Sequence, residues 1–529
     1  MSAAAAPARP DDAPPLAVWI GFFAMVLGNF MAILDVQIVA SAIGAIQAGV
    51  SANRDEVSWV QTSYLIAEVI GIPLSGFLGR ALGTRRLFCI SAASFALTSL
   101  LCAFAWDINS LIVFRALQGF SGAAMIPTTM ATLYIVMPLR YQPMGAAMIG
   151  VVSTLAPSLG PTLGGYIAEA LGWRALFWLN LFPALVGVVL VWRLMRRLDP
   201  GDISLMKRID IGGLIGLALF LGGAEYVLEE GPSNNWFESM ELVEWTMLSL
   251  MGAVLFFYRA FRADTPIVDL RPFKQPVFAV SGFLAFVLGV GLYSSVFLLP
   301  LFLTEVRGYN SLQVGHTMFV QGAVMFLVGP AMGIIGRRIP DLRPVGAAGF
   351  LITGLSCWIQ AHMTAEAGLA QLAWPQALRG LGLTLTFSAI MQPALSSLPP
   401  HLVHAGAGLF NTLRNIGGAF GIAFMATLQS HSFALHRQEL YNALDPNNPH
   451  VQQMLAGMQA HLEQAGAADP ERQALMQYAS FLDREALVMA FNDQFLFLAF
   501  VLGLSALAVF LLKKNANAAA FKSDAAMAH

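Results

Sequence analysis

The sequence predicts an all-α membrane protein with two six-helix halves related by pseudo-twofold symmetry and two further helices inserted between them, about 14 spans in all. Three observations support this fold class. Hydrophobic residues make up 57% of the 529 residues and charged residues only 11%, whereas a soluble domain carries about 25% charged residues. Apolar runs long enough to cross a bilayer recur from residue 17 to residue 512. The chain also contains an internal repeat.

Charge clusters, Pro/Gly turns and interfacial tryptophans divide the apolar sequence into spans. The predicted spans are 17–46, 57–79, 86–105, 109–136, 144–170, 174–196, 210–229, 243–262, 276–304, 312–336, 344–363, 372–397, 404–430 and 490–512. The predicted organisation is a disordered tail at 1–16, an N-terminal half at 17–200, two inserted spans within 201–275, a C-terminal half at 276–512 that includes an external loop at 431–489, and a tail at 513–529.

The internal repeat relates the two halves. The segments GIPLSGFLGRALGTRR (71–86) and GPAMGIIGRRIPDLR (329–343) match at one constant offset, which pairs Gly76 with Gly333 and Arg80 with Arg337. At nearly the same offset RALQG meets QALRG, with Arg and Gln exchanged. Two such halves around an axis normal to the membrane, with a site near the midplane, are a transporter plan.

Charge placement predicts the orientation and excludes several classes of function. Most of the 29 Lys and Arg residues fall in stretches on the side that holds both termini, which the positive-inside rule places in the cytoplasm. The net charge of −2 gives no overall field for a nucleic acid. The three cysteines have neither metal nor redox spacing, and no phosphate-binding loop is present, so we expect no metal, no cofactor and no ATP drive.

Three acidic residues, Asp35, Glu68 and Glu225, fall well within predicted spans. A charged side chain at the bilayer centre costs about 2.5–3.5 kcal/mol, and such groups usually mark an ion or proton pathway. Asp35 and Glu68 have more than a turn of apolar sequence on each side, so each is a candidate proton carrier; the alternative is a polar group that pairs helices. Glu225 is one turn from a polar external loop and is interpreted as interfacial.

Seven motifs occur in an order that is itself informative. They are LDVQIVASAI, GFLGRALGTRR, FRALQGFSGAAMIP, APSLGPTLGGYI, GWRALFWLNLFP, LLPLFLTEVRGYNSLQVG and NTLRNIGGAFG. Together they resemble the major facilitator superfamily and, within it, the fourteen-span drug:proton antiporters of the EmrB/QacA branch. The resemblance covers nearly all of residues 17–512 and implies the major facilitator fold.

The resemblance implies a proton-coupling site in the N-terminal half. Asp35 matches the span-1 aspartate of the family, and Arg115 matches a partner that tunes a membrane carboxylate; snorkelling to the interface is the alternative for Arg115. Glu68 is a second candidate. Gln37 stands where the usual family pattern has Thr, so the surroundings of Asp35 are altered here.

Two glycine-rich segments carry further implications. In APSLGPTLGGYI the residues Gly160, Pro161, Gly164 and Gly165 resemble the antiporter motif of exporters; tight helix packing is the alternative.

In GFLGRALGTRR the family places a hinge, here Gly76, Arg80, Gly83 and Arg85. The general pattern has an acid where Arg80 stands, so this segment lacks the acidic member of the usual charge relay; a positive-inside anchor is the alternative.

Polar residues within spans are candidate substrate or gating contacts, namely Gln37, Gln118, Gln376, Arg379 and Arg414. No acid in the C-terminal half mirrors Asp35. For Arg414, snorkelling is the alternative. The 24 Met and 37 Phe residues suit a site that re-packs around varied apolar ligands.

The expected function is export of small hydrophobic or amphipathic drug-like compounds against proton entry, by alternating access in the inner membrane of a bacterium. A proton-coupled uptake symporter and a membrane-embedded enzyme are the alternatives; an enzyme is not expected because the histidines are scattered. The segment 431–489 is predicted to form amphipathic helices outside the membrane. The resemblance implies docking there of a periplasmic adaptor linked to an outer-membrane TolC-type channel; an inert cap is the alternative.

Overall fold

The computed structural model describes residues 14–138, 141–195, 201–339, 341–442, 449–465 and 467–512. The regular elements within these ranges are all helices. The predicted tails lie outside the described residues, apart from residues 14–16. We call the end of the helical bundle where the first helix begins the near face, and the opposite end the far face.

The described part of the N-terminal half forms nine α-helices because three of its spans are interrupted. They are α1 (Leu16–Ser41), α2 (Ile43–Val50), α3 (Arg54–Leu82), α4 (Thr84–Ala103), α5 (Ile108–Gly122), α6 (Met125–Val136), α7 (Gln142–Leu171), α8 (Ala175–Trp178) and α9 (Leu181–Leu194). A capping box between Asn53 and Glu56 starts α3. Gly83, with φ of 78°, allows the sharp turn from α3 into α4.

The rest of the chain contributes the inserted pair and the C-terminal half. The inserted helices are α10 (Ile211–Glu230) and α11 (Met240–Arg262); the C-terminal half holds α12 (Pro276–Glu305), α13 (Ser311–Arg338), α14 (Arg343–Gln360), α15 (Leu369–Ser396), α16 (Pro400–Asn442), α17 (Pro449–Gln464) and α18 (Pro470–Ala508). An ion pair of 2.7 Å between Asp210 and Arg259 joins the start of α10 to the end of α11.

Each predicted span coincides with one of these helices or with two consecutive ones, and the predicted fold class is confirmed. Within the described residues, 10 helical segments are long and apolar enough to cross a membrane. The other predicted spans coincide with α7, α14, α15 and α16, whose buried faces contain polar residues. The protein is therefore a multi-pass membrane protein.

Two of the helices continue well beyond their predicted spans at the far face. Helix α16 runs on to Asn442 and α18 begins at Pro470, with α17 between them. We call residues 431–442, α17 and residues 470–489 the far-face projection. An Arg437–Asp483 ion pair of 2.8 Å and a His436–Asp493 contact of 2.7 Å hold its two long helices together.

The two halves meet mainly where α3 packs on α16 and α7 packs on α13, and α6 and α7 also contact α16 and α15, respectively. At the near face, a Cβ on Gly76 would lie 3.1 Å from the Cα of Ala405, and Thr84 Oγ1 hydrogen-bonds His404 Nε2 at 2.8 Å. These contacts close the near end of the α3–α16 interface. Helix α10 packs against α3 and α16, and α11 packs against α10, so the inserted pair covers this interface from one side.

Candidate functional site

Asp35 lies inside α1 with its side chain 2% exposed. Arg115 of α5 donates from Nη1 to Asp35 Oδ2 at 2.5 Å. Two side-chain amides donate to Oδ1: Gln118 Nε2 at 3.1 Å and Asn180 Nδ2 at 2.5 Å. The carboxylate is therefore bound by donors from α5 and from the α8–α9 connection.

Arg115 is fully buried, which excludes the snorkelling alternative. Its Nε donates to the carbonyl of Val60 at 3.2 Å, and Nη1 also donates to Gln118 Oε1 at 2.8 Å. The guanidinium lies 4.2 Å from the ring centroid of Tyr64, a cation–π contact. Nη2 has no hydrogen-bond partner among the described residues, so one donor remains available beside the Asp35 carboxylate.

Sequence reasoning missed a second layer of polar groups around Asp35. Asn180 Nδ2 also donates to Ser99 Oγ at 3.0 Å, and Ser99 donates to the carbonyl of Phe177 at 2.8 Å. The available signal was a single Asn in the apolar motif GWRALFWLNLFP. This layer fixes the orientation of Asn180 towards the carboxylate.

Glu68, the second candidate proton carrier, lies on α3 in a different setting. It lines a cavity of about 100 Å³ together with Gln37, Tyr293 and Asn415. Within the described ranges, no hydrogen bond or ion pair joins it to Asp35. The structure therefore brings Asp35, Arg115 and Gln118 together and places Glu68 and Gln37 in a neighbouring cavity between α1, α3, α12 and α16.

Glu225, which the sequence places near the membrane interface, points into the protein: its side chain is 8% exposed and lines the same cavity as Glu68. The reason is the packing of α10 on α3. A Cβ on Gly222 would lie 3.2–3.3 Å from the side chains of Ile70 and Ile66, so the two helices approach closely and turn Glu225 inward. Glu229, one turn further along α10, also lines the cavity.

The glycines of the antiporter motif place α7 directly on the segment of α1 that follows Asp35. A Cβ on Gly160 would lie 2.2 Å from Gln37 Cβ, and one on Gly164 would lie 2.1 Å from Ser41 Oγ. Gly165 is half-buried on the same helix, and the side chain of Pro161 lies outside the described residues. Tight helix packing was the alternative interpretation of this motif, and the structure shows such packing between α7 and α1, the helix that carries Asp35.

The two arginines of the predicted hinge have different partners. Arg80 pairs with Asp269, which lies between α11 and α12, at 3.5 Å, and Arg271 forms a bidentate pair with the same carboxylate. Burial raises the pKa of Asp269, but the hydrogen bonds and charge of Arg271 and the charge of Arg80 hold it below its ordinary value. The motif itself contains no acid, and the acid that pairs with Arg80 comes instead from the loop between α11 and α12.

The other hinge arginine, Arg85, stacks on Trp192 of α9 at 4.1 Å from the ring centroid. It packs within the N-terminal half rather than across to the C-terminal half. Gly76, in contrast, contacts α16 directly, as described above.

In the C-terminal half, Gln376 and Arg379 form the counterpart of the Arg115–Gln118 pair. Arg379 Nε donates to Gln376 Oε1 at 3.1 Å, and Nη1 donates to the carbonyl of Ser295 at 3.3 Å. Both side chains are fully buried, and no carboxylate contacts them among the described residues. Arg414 is 1% exposed, so it does not snorkel, and its Nη2 donates to Asn415 Oδ1 at 3.4 Å.

A helical bundle of two matching halves with a buried ion pair is the architecture of a membrane transporter. The family model described as Major Facilitator Superfamily matches residues 25–422, and the chain belongs to this superfamily, in its EmrB-type branch. The superfamily is one of transporters, not of enzymes.

Three relatives match along most of their length. A "Colistin resistance protein EmrB" of Acinetobacter baumannii is 37% identical, over 93% of this chain and 96% of the relative. A "Multidrug export protein EmrB" of Escherichia coli K12 is 29% identical, over 89% and 91%. A "Fatty acid resistance protein FarB" of Neisseria gonorrhoeae is 28% identical, over 92% and 94%.

The fold is also that of a solved structure, the human organic anion transporter MFSD10 (TETRAN). The alignment of the two chains has a TM-score of 0.56 at 15% sequence identity, and it covers 93% of this chain and 100% of the MFSD10 chain. At this identity the likeness concerns the fold alone.

Proposed function

We propose that this protein is a proton-coupled antiporter that exports hydrophobic or amphipathic drug-like compounds by alternating access. The observation that carries the proposal is the fully buried Asp35 carboxylate with Arg115 as its charged partner. The printed names of the relatives, which concern multidrug export and resistance, support the substrate class. The proton gradient supplies the energy, without a cofactor.

The proposed orientation places the near face in the cytoplasm and the far face outside the bacterial inner membrane. Lys and Arg residues are concentrated in the near-face connections, for example Arg80, Arg271 and Arg343. The positive-inside rule therefore supports two cytoplasmic termini.

Packing gives a route from the protonation of Asp35 to the motion of the two halves. Protonation removes the negative charge that orients Arg115, Gln118 and Asn180. Helix α1 then loses its strongest links to α5 and to the α8–α9 connection. Because Gly160 and Gly164 pack α7 tightly on α1, and α7 packs along α13 of the other half, a shift of α1 is transmitted to the interface between halves.

The cavity that contains Glu68 is the proposed substrate contact region. It lies where α1, α3 and the inserted helix α10 meet α12 and α16 of the C-terminal half. In this conformation the cavity has a volume of about 100 Å³, which is below the roughly 300–1,000 Å³ of a ligand pocket. Separation of α3 from α16 during alternating access is expected to enlarge it.

Export by a deletion strain complemented with variants tests the proposal. Asp35→Asn and Arg115→Ala should abolish resistance and efflux of an exported dye, and Glu68→Gln decides whether the second carboxyl is also required. Asp107→Asn is the matched control, because Asp107 caps α5 outside the core and Asn caps a helix equally well. Wild-type efflux by Asp35→Asn would refute the mechanism, and accumulation of the compound in energised wild-type cells would favour the uptake symporter.

For the far-face projection we propose docking of a periplasmic adaptor that connects to an outer-membrane TolC-type channel. None of the described residues of α17 is buried in this chain, so its apolar residues, such as Met454, are available to a partner. Deletion of residues 445–480 keeps Arg437, Asp483 and Asp493 and should spare membrane insertion. The deletion should abolish co-purification of the adaptor, and unchanged co-purification would refute the docking proposal.

A further inference from the structure

A second cavity, which we call the side pocket, lies at the near face and is far larger than the one at Glu68. Its volume is about 920 Å³, within the range of small-molecule sites. Three parts of the chain form its walls: α3 of the N-terminal half, α16 of the C-terminal half, and the inserted pair with the loop that follows it. The side pocket therefore exists only because α10 and α11 cover the α3–α16 interface.

The walls of the side pocket are mainly aromatic and aliphatic. Phe77 of α3, Phe220 of α10 and Phe256 of α11 lie on the inner wall, and Leu409 of α16 faces them. The edge carries Phe261, which is 75% exposed. An exposed aromatic residue beside an apolar cavity at the level of a membrane interface suits a ligand that enters from the lipid side.

The rim of the side pocket is cationic. An adjoining smaller pocket shares Ala263, Asp264 and Thr265 with it. Among the described lining residues, the two pockets together hold six cationic side chains and three carboxylates: Arg80, Arg208, Arg259, Arg262, Arg271 and Lys274, with Asp210, Asp264 and Asp269. Asp210 and Asp269 are already paired with arginines, so positive charge remains in excess at the mouth.

Among the described cations that line the side pocket itself, Arg80 and Arg271 are paired with Asp269, which leaves Lys274. It is exposed, it lines the side pocket directly before α12, and it has no ion-pair partner among the described residues. An apolar cavity with a cation at its mouth matches a molecule with a hydrocarbon chain and a single acidic head.

We propose that the side pocket binds an anionic amphiphile, with its hydrocarbon chain between the phenylalanines of α3, α10 and α11 and its phosphate or carboxylate head at Lys274. A membrane phospholipid and a free single-chain amphiphile share this chemistry. Because the occupant lies between α3, α16 and the inserted pair, it bridges both halves at the near face. This assignment does not depend on the direction of transport.

The test measures equilibrium binding of radiolabelled dodecyl phosphate to the full chain in phosphatidylcholine nanodiscs. Ala260→Trp fills the pocket from α11 and should weaken binding by about tenfold or more. Lys274→Glu, an exposed change that leaves the packing intact, should weaken it by about fivefold. The matched controls are Val254→Trp, on the lipid-exposed surface of α11, and Lys207→Glu, an exposed near-face lysine outside the pocket; both should bind like wild type.

Two further arms identify the source of the ligand and complete the test. Competition by phosphatidylglycerol, with co-purification of that lipid from wild type but not from Ala260→Trp, assigns the pocket to a membrane lipid. Binding without such competition assigns it to a free amphiphile. Equal affinity for uncharged dodecanol, or equal binding by Lys274→Glu and Lys207→Glu, would overturn the proposal. Because no arm measures transport, these results are separate from those that test export.

Discussion

The Asp35–Arg115 pair makes a quantitative prediction that a double-mutant cycle can measure. The two side chains are 2% and 0% exposed, and their closest oxygen and nitrogen are 2.5 Å apart. Removal of one partner of such a pair leaves a buried, unpaired charge, which costs about 3–5 kcal/mol. We therefore expect Asp35→Asn and Arg115→Met each to destabilise the protein, and the double variant to regain much of the loss.

The expected coupling energy is about 2–3 kcal/mol, in the range for directly contacting groups. The contacts of Arg115 with Val60 and Tyr64 cancel in the cycle, because they are lost with or without Asp35. The free energy of unfolding is measured by reversible denaturation in mixed micelles for all four proteins.

Arg437 and Asp483 of the far-face projection provide the matched control cycle. Their closest atoms are 2.8 Å apart, but the side chains are 51% and 36% exposed, so their coupling should be only about 0.2–1 kcal/mol. Equal coupling energies for the two pairs would refute the reasoning, because burial would then have no effect on the strength of the ion pair.

Two further predictions follow from the packing and from the projection. Gly160→Ala places a Cβ within 2.2 Å of Gln37 Cβ and should cost about 1–3 kcal/mol and reduce efflux, whereas Gly44→Ala, with nothing within 4 Å, should do neither in the same assays. Burial lowers the pKa of His436, but hydrogen bonds and charges of Asp493 and Glu439 raise it above its ordinary value. The contact should thus stabilise the projection below about pH 6.5 and lose this contribution as the pH rises through the raised pKa. Hydrogen exchange of residues 431–442 should show this dependence in wild type and in His431→Gln but not in His436→Gln; its persistence in His436→Gln would contradict the assignment.

The fold could be predicted from the sequence because its signals are local. Each span needs only a run of apolar residues, and the constant offset between Gly76/Arg80 and Gly333/Arg337 reveals the repeat without any knowledge of packing. The far ends of α16 and α18 were harder, because polar residues can continue a helix beyond the membrane as readily as they can end it.

The candidate site likewise contains residues that the sequence reveals and residues that only the packing reveals. Asp35 and Arg115 are single charges in apolar spans, so each stands out by itself. Asn180 binds Asp35 and Ser99, which are distant in the sequence, and Asp269 reaches Arg80 only through the packing of the loop. A neutral amide or a loop aspartate carries no such signal. The burial of Glu225 could not be predicted, because the sequence gives only its distance from the loop along α10, whereas its burial depends on how α10 packs against α3.

Proton movement in inside-out membrane vesicles tests the central claim most directly. Respiration acidifies the vesicle lumen, and addition of an exported compound to wild-type vesicles should raise the lumenal pH as protons leave in exchange for it, reported by a pH-sensitive dye. Asp35→Asn vesicles should show no compound-induced change, while Asp107→Asn vesicles should respond like wild type. A wild-type response from Asp35→Asn vesicles would contradict the assignment of Asp35 as the proton carrier.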